Sequence, residues 1–127
     1  MTPMSFAVLA TAAILGACAT EVVRRPTEIS PSSASHPLVA TGASSFTLDS
    51  GYSRSIAAGT EFMELGRIGE GRVLKPLKAV FTVEGAHMHE AYPVESGGRL
   101  VGFYLPVERS FSPLSRPVDL VLERKPE

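Results

Sequence analysis

Short segments in which apolar and polar residues alternate dominate the chain after residue 46, and this pattern predicts β-strands. Tyr52–Ala57 precedes a Gly59-Thr60 turn, and residues 61–65 follow as the next strand. Lys78–Val83 is rich in β-branched and aromatic residues and stops before a glycine. No segment in this half of the chain keeps an apolar repeat of about 3.6 residues. The pattern therefore predicts strands and no helix.

Glycines between these segments predict hairpins. His87–Val94 and Arg99–Leu105 flank Glu95-Ser96-Gly97-Gly98, whose glycines tolerate the positive φ angles of a tight turn. Gly69-Glu70-Gly71 predicts a second hairpin, and Val118–Glu123 predicts the last strand. Six or seven short strands over residues 46–127 indicate a mainly β domain. We expect a small antiparallel β-barrel or sandwich, either SH3-like or OB-like.

The N-terminus carries a different signal. The apolar stretch Phe6–Gly16 is shorter than the roughly 20 residues of a membrane span, but it suits the core of a signal peptide. Leu15, Gly16, Ala17 and Cys18 follow at its end. Cys18 is the only cysteine of the chain, so no internal disulfide can form.

Residues 15–18 closely resemble the lipobox of bacterial lipoproteins: an aliphatic residue, two small residues and a cysteine. The segment before the apolar core departs from that family, because it contains no Lys or Arg. The resemblance implies that the signal peptide, residues 1–17, is removed and that Cys18 carries the lipid that anchors the protein. Ala19 stands where Asp commonly favours the inner membrane, which implies an outer-membrane anchor with the domain in the periplasm of a Gram-negative cell. The covalent lipid is the only non-protein group expected.

Residues 18–45 are rich in Thr, Ser and Pro and show no apolar period. We expect a lipidated N-terminus and a flexible, disordered linker here. As a coil it would span about 30 Å and would let the domain stand away from the bilayer. The short patch Val22-Val23-Arg24-Arg25 leaves an alternative open, in which the chain rests on anionic head groups.

The charge balance and the missing catalytic motifs limit the classes of function that we expect. Twelve basic and thirteen acidic residues give a net charge of −1. A nucleic-acid partner is not expected, because nothing resembles the basic surface that such binding requires. Nucleophile-elbow, Ser-x-x-Lys and phosphate-loop motifs are all missing from the sequence, so we do not expect an enzyme.

His87 and His89 are the residues most suited to metal chemistry. On a strand they would share one face, with Cβ atoms about 6.5–7 Å apart, and two imidazoles at that spacing can share Zn²⁺ or Cu²⁺. The third histidine, His36, lies in the predicted linker. A strand whose imidazoles stack on Tyr92, Tyr104 or Phe103 is the favoured interpretation, and we expect only weak zinc binding.

The segment 106–117 is longer than a hairpin loop and contains Phe111 and Leu114 between Arg109 and Arg116. An apolar knob rimmed by arginines is the composition of a partner-contact site. In the alternative, which we favour narrowly, Phe111 is a buried plug and both arginines are exposed.

The sequence thus predicts a non-enzymatic, lipid-anchored envelope protein. Its periplasmic β domain would be a binding or structural module for another envelope protein, as in an accessory subunit of an envelope assembly. A metal-binding lipoprotein built on His87 and His89, or an inhibitor of a periplasmic enzyme, is the alternative.

Overall fold

The computed structural model describes residues 21–126, which form twelve β-strands and no helix. The predicted mainly β class is confirmed. The strands are β1 (Arg25–Pro26), β2 (Ser30–Pro31), β3 (Leu38–Ala40), β4 (Ser44–Thr47), β5 (Ser53–Ile56), β6 (Glu61–Ile68), β7 (Gly71–Pro76), β8 (Phe81–Glu84), β9 (Met88–Ser96), β10 (Arg99–Leu105), β11 (Ser110–Asp119) and β12 (Leu122–Arg124).

Ten strands form one antiparallel sheet in the order β1-β11-β10-β9-β7-β6-β3-β12, with β2 added on β6 and β8 on β9. The terminal strands β1 and β12 pair only with β11 and β3, so the sheet of residues 21–126 does not close on itself. The barrel form of the prediction is therefore wrong, and the sandwich form is consistent with the sheet. Both terminal strands are two or three residues long, and β1 contains Pro26, which has no N–H to donate to a closing partner.

Bulges bend the sheet. The register shifts between Leu100 and Gly102 in β10, and between Glu64 and Gly66 in β6. An extra residue on one strand bends it and increases its twist. As a result, Ala40 of β3 and residues of β11 share one core although their strands stand near opposite ends of the sheet order.

The main core lies between the bent sheet and the separate β4–β5 hairpin, where the rings of Phe46 and Phe103 stand 5.5 Å apart. A second, smaller core underlies the β6–β7 and β10–β11 strands. It consists of Ile68, Val73, Val94, Tyr104 and Phe111.

The linker prediction is wrong for residues 21–45, because this segment supplies β1, β2, β3 and the start of β4. Val22 is buried, and Ser30 crosses β6 so closely that a Cβ on Gly66 would lie 2.3 Å from its carbonyl oxygen. The strands are held by main-chain hydrogen bonds over two or three residues, a length too short to show a period in the sequence. The β domain therefore includes residues 21–45 and does not begin at residue 46.

The loop prediction for residues 106–117 is also wrong. Residues 106–109 form a turn, and β11 continues from there to Asp119. Pro113 faces Gly102 at the β10 bulge, and β11 pairs with β1 only at residues 110–111. Proline has no backbone N–H, so a strand tolerates it only where no hydrogen bond to a neighbouring strand is needed, as at an edge or a bulge. The predicted strand Val118–Glu123 is divided between β11 and β12.

The hairpin predicted at residues 95–98 is confirmed. Gly97 and Gly98 have φ angles of 59° and 84°, between β9 and β10. The buried carboxylate of Glu95 accepts the Gly98 N–H at 2.9 Å and the Arg72 Nε–H at 2.8 Å. One carboxylate therefore ties the turn to β7.

Candidate functional site

The two histidines singled out in the sequence lie in different environments. His87 precedes β9 and its side chain is 74% exposed, whereas the side chain of His89, in β9, is 7% exposed. Both nevertheless approach Glu21: its two carboxylate oxygens lie 3.7 Å from His87 Nε2 and 3.4 Å from His89 Nε2. Glu21 falls in the predicted linker, and no spacing in the sequence indicates this contact.

A second carboxylate completes the arrangement. His89 Nδ1 hydrogen-bonds to Glu108 Oε2 at 2.7 Å, with Glu108 in the β10–β11 turn. Glu21, His87, His89 and Glu108 are called the clasp below. The clasp joins the N-terminal segment, the β8–β9 turn and the β10–β11 turn, three parts of the chain that are far apart in sequence.

The contacts lower the pKa of both carboxylates. For Glu21 the main cause is the hydrogen bond from the Val22 backbone N–H at 2.8 Å, aided by His89 and His87, while desolvation opposes it. For Glu108, burial raises the pKa, but the hydrogen bond from His89 and the charges of His89 and Arg24 outweigh it. Both groups are therefore held in the ionised form that accepts hydrogen bonds from the imidazole.

The clasp is not a ready-made metal centre. Within residues 21–126, no group of three or more His, Cys, Asp or Glu side chains is placed to hold a metal ion. His89 Nδ1 is engaged by Glu108, and Glu21 meets the two histidines through different oxygens. Through charge-assisted hydrogen bonds, the clasp binds the N-terminal segment to the sheet.

An open groove of about 960 Å³ lies beside the clasp, lined by residues 26–29 together with Tyr104, Glu108 and Arg109. Arg109 has a φ of 52°, which among the described residues is the only positive φ outside glycine. Its carbonyl accepts the Thr27 N–H at 3.1 Å, which holds the turn against the N-terminal segment. The other oxygen of Glu108, Oε1, is buried without a hydrogen-bond partner.

The proposed knob of residues 109–116 does not form. Phe111 and Leu114 are 2% and 4% exposed and belong to different cores, so neither reaches a partner. In a strand, residues three apart face opposite sides of the sheet, whereas the knob required them to share a side. Burial of Phe111 agrees with the plug, and Arg109 and Arg116 are exposed as expected.

A second exposed feature lies at the other end of the β8–β9 hairpin. The strand predicted at Lys78–Val83 begins only at Phe81, so residues 78–80 belong to the loop before it. Residues 77–80, called the distal loop, leave Leu77 and Val80 42% and 75% exposed. A shallow groove of about 370 Å³ runs from Lys75 through this loop to Tyr92. The four residues of β8 separate the distal loop from the β8–β9 turn by about 13 Å.

The lipobox residues Leu15, Gly16, Ala17 and Cys18 lie outside the described residues. Over residues 21–126, no helix is long and apolar enough to cross a membrane. No protein-family model, curated protein or solved structure matches the chain.

Proposed function

We propose that the protein is a lipid-anchored component of the bacterial envelope whose β domain is a binding module for another envelope protein. The lipid anchor is supported by the run Leu15-Gly16-Ala17-Cys18 at the end of a short apolar segment. Its resemblance to a lipobox accounts for the only cysteine of the chain. With a signal peptide before lipidated Cys18, and Ala19 where Asp favours the inner membrane, the proposed location of the domain is the periplasm of a Gram-negative cell, at the outer membrane.

The binding role is supported by the distal loop. Exposed apolar side chains that are grouped together, rather than scattered, are typical of interaction surfaces. Leu77 and Val80 stand beside the groove that ends at Tyr92, with Lys75 and Lys78 on its border. Aromatic residues are enriched at protein interfaces, and Tyr92 lies in this groove, which Glu90 also lines. We assign the partner to this surface instead of the buried Phe111 and Leu114.

Lipidation is tested by labelling cells with a clickable fatty acid and separating the membrane from the soluble fraction. The wild type should be labelled and should sediment with membranes. Cys18→Ser should take up no label and remain as a precursor, because lipid transfer needs the thiol. Thr20→Ala, which keeps Cys18, is the matched control and should behave as the wild type. An unlabelled wild-type protein contradicts the anchor.

The binding surface is tested with a photo-crosslinking residue placed at Val80 or at Val121 in the full chain. Val121 is 54% exposed and is not part of the distal loop; it stands immediately before β12. A discrete adduct at position 80, lost in Leu77→Asp and absent at position 121, is expected. Equal adducts at both positions, or none at position 80, contradict the assignment of the partner to the distal loop.

A further inference from the structure

The clasp brings three chain segments together at one end of the domain. Residues 21–24, the β8–β9 turn with Met88, and the β10–β11 turn at residues 106–109 meet there through the contacts of His89 with Glu21 and Glu108. This end is called the proximal pole. It is the end of the domain at which the described chain leads back toward Cys18.

Three large apolar side chains of the proximal pole are exposed to solvent. Val23, Met88 and Val107 are 64%, 68% and 76% exposed. Each is a sequence neighbour of a fixed residue: Val23 follows the buried Val22, Met88 lies between the two histidines, and Val107 precedes Glu108. These neighbours fix where the backbone holds Val23, Met88 and Val107 at the pole.

Two arginines at the pole are free to meet an anionic surface. Arg24 and Arg109 are both exposed there, while the carboxylates of Glu21 and Glu108 are directed to His89. Two more carboxylates are exposed nearby: Glu28, which lines the groove, and Glu90, two residues after Met88 in β9. Arginine beside exposed apolar side chains is the pairing that interfacial membrane contacts use, with cations on head-group phosphates and apolar groups at the acyl boundary.

The short stretch of chain between Cys18 and Glu21 favours a lipid bilayer as the partner of this surface. Cys18 stands three residues before Glu21, and a fully extended chain spans at most about 3.5 Å per residue. Val22 is buried in the main core, so the tether has no slack beyond that point. A lipid on Cys18 would therefore keep Glu21, the first described residue of the proximal pole, within about 10 Å of the bilayer surface, instead of the 30 Å standoff that a free linker would give.

We infer that the proximal pole is a membrane-contact surface, on which Val23, Met88 and Val107 enter the head-group region and Arg24 and Arg109 bind lipid phosphates. The inference rests on the proposed lipid anchor at Cys18. It gives the domain one orientation, with the distal loop directed away from the bilayer and open to a protein partner.

The chain contains no tryptophan, so a single introduced tryptophan reports its own surroundings. Val107→Trp tests the pole, and Val121→Trp is the matched control, since both valines are exposed. The full-length protein, purified from membranes, is reconstituted in vesicles of equal parts phosphatidylglycerol and phosphatidylethanolamine with brominated acyl chains. Flotation and the mass of the N-terminal peptide report lipidation independently of the fluorescence.

We expect a blue-shifted emission and roughly twofold stronger quenching at position 107 than at position 121, because interfacial groups sit near the acyl boundary. In phosphatidylcholine vesicles the difference should decrease, since the arginines lose their anionic partner. If the protein carries its lipid and floats while both tryptophans emit and quench alike, the membrane-contact surface is wrong and the anchor stands. If the N-terminal peptide carries no lipid, the anchor and the inference that rests on it both fail.

Discussion

Replacing Phe111 with alanine tests whether the β10–β11 segment is part of the core. Phe111 is 2% exposed and packs with Ile68, Val73, Val94 and Tyr104. Its ring presses on β10 so closely that a Cβ on Gly102 would lie 2.6 Å from the ring. A glycine backbone cannot move in to fill the space that the ring leaves, and the substitution therefore opens a cavity.

The expected loss is about 4 kcal/mol. Phe→Ala in a core costs about 3–5 kcal/mol of unfolding free energy. Because the surroundings of Phe111 can relax only little into the cavity, we expect a cost in the middle of that range or above. The exposed Arg25 guanidinium, 5.0 Å from the ring centroid, adds a contribution of no more than about 1 kcal/mol. For a domain of this size such a loss lowers the melting temperature by about 15 °C or more.

Thermal melts followed by circular dichroism measure the difference. The matched control is the double variant Arg109→Ala, Arg116→Ala, which removes two exposed side chains of the same segment and should change stability by about 0.5 kcal/mol or less. A melting temperature of Phe111→Ala within a degree or two of the wild type would refute the burial argument. It would restore Phe111 as a candidate partner contact.

Three further outcomes are expected. Zinc titration should give micromolar or weaker affinity, and a nanomolar dissociation constant that disappears in His87→Ala would establish a metal site. Gly102→Ala should lower stability by about 2 kcal/mol in a denaturant titration, because its Cβ would lie 2.5 Å from the Ser112 carbonyl oxygen; an unchanged midpoint would contradict this close packing. The folded-state pKa of Glu108 is lowered, so its contact with His89 contributes stability above the ordinary carboxylate pKa and loses it as the pH falls through the lowered value. Glu108→Gln should therefore have a lower melting temperature at neutral pH and a smaller loss in acid, and parallel curves for both proteins would disprove the contribution.

Local patterns predicted the hairpins well because their signals lie within a few residues. The Gly97-Gly98 turn and the glycines around Glu70 fix where strands reverse, and the structure has hairpins at both places. Segments whose pairing depends on distant residues were missed. Residues 106–117 were predicted to form a loop, but the place of Pro113 opposite Gly102 at a bulge allows β11 to continue.

The candidate site could be found only in part. His87 and His89 stand out in the sequence, but their partners Glu21 and Glu108 are 68 and 19 residues away from His89 and carry no motif. The knob of Phe111 and Leu114 failed for a different reason. A spacing of three groups side chains on a helix, whereas this segment is a strand. Which of these residues come together depends on how distant segments pair in the fold, and composition does not reveal that.

The intact mass of the protein purified from bacterial membranes tests the lipid anchor most directly. The anchor predicts a chain that starts at Cys18, with residues 1–17 removed and the added mass of a diacylglyceryl group and, where the amine is acylated, a further acyl chain. The added mass should be located on the N-terminal peptide. A mass equal to that of an unmodified chain, with or without residues 1–17, would contradict the anchor and the orientation derived from it.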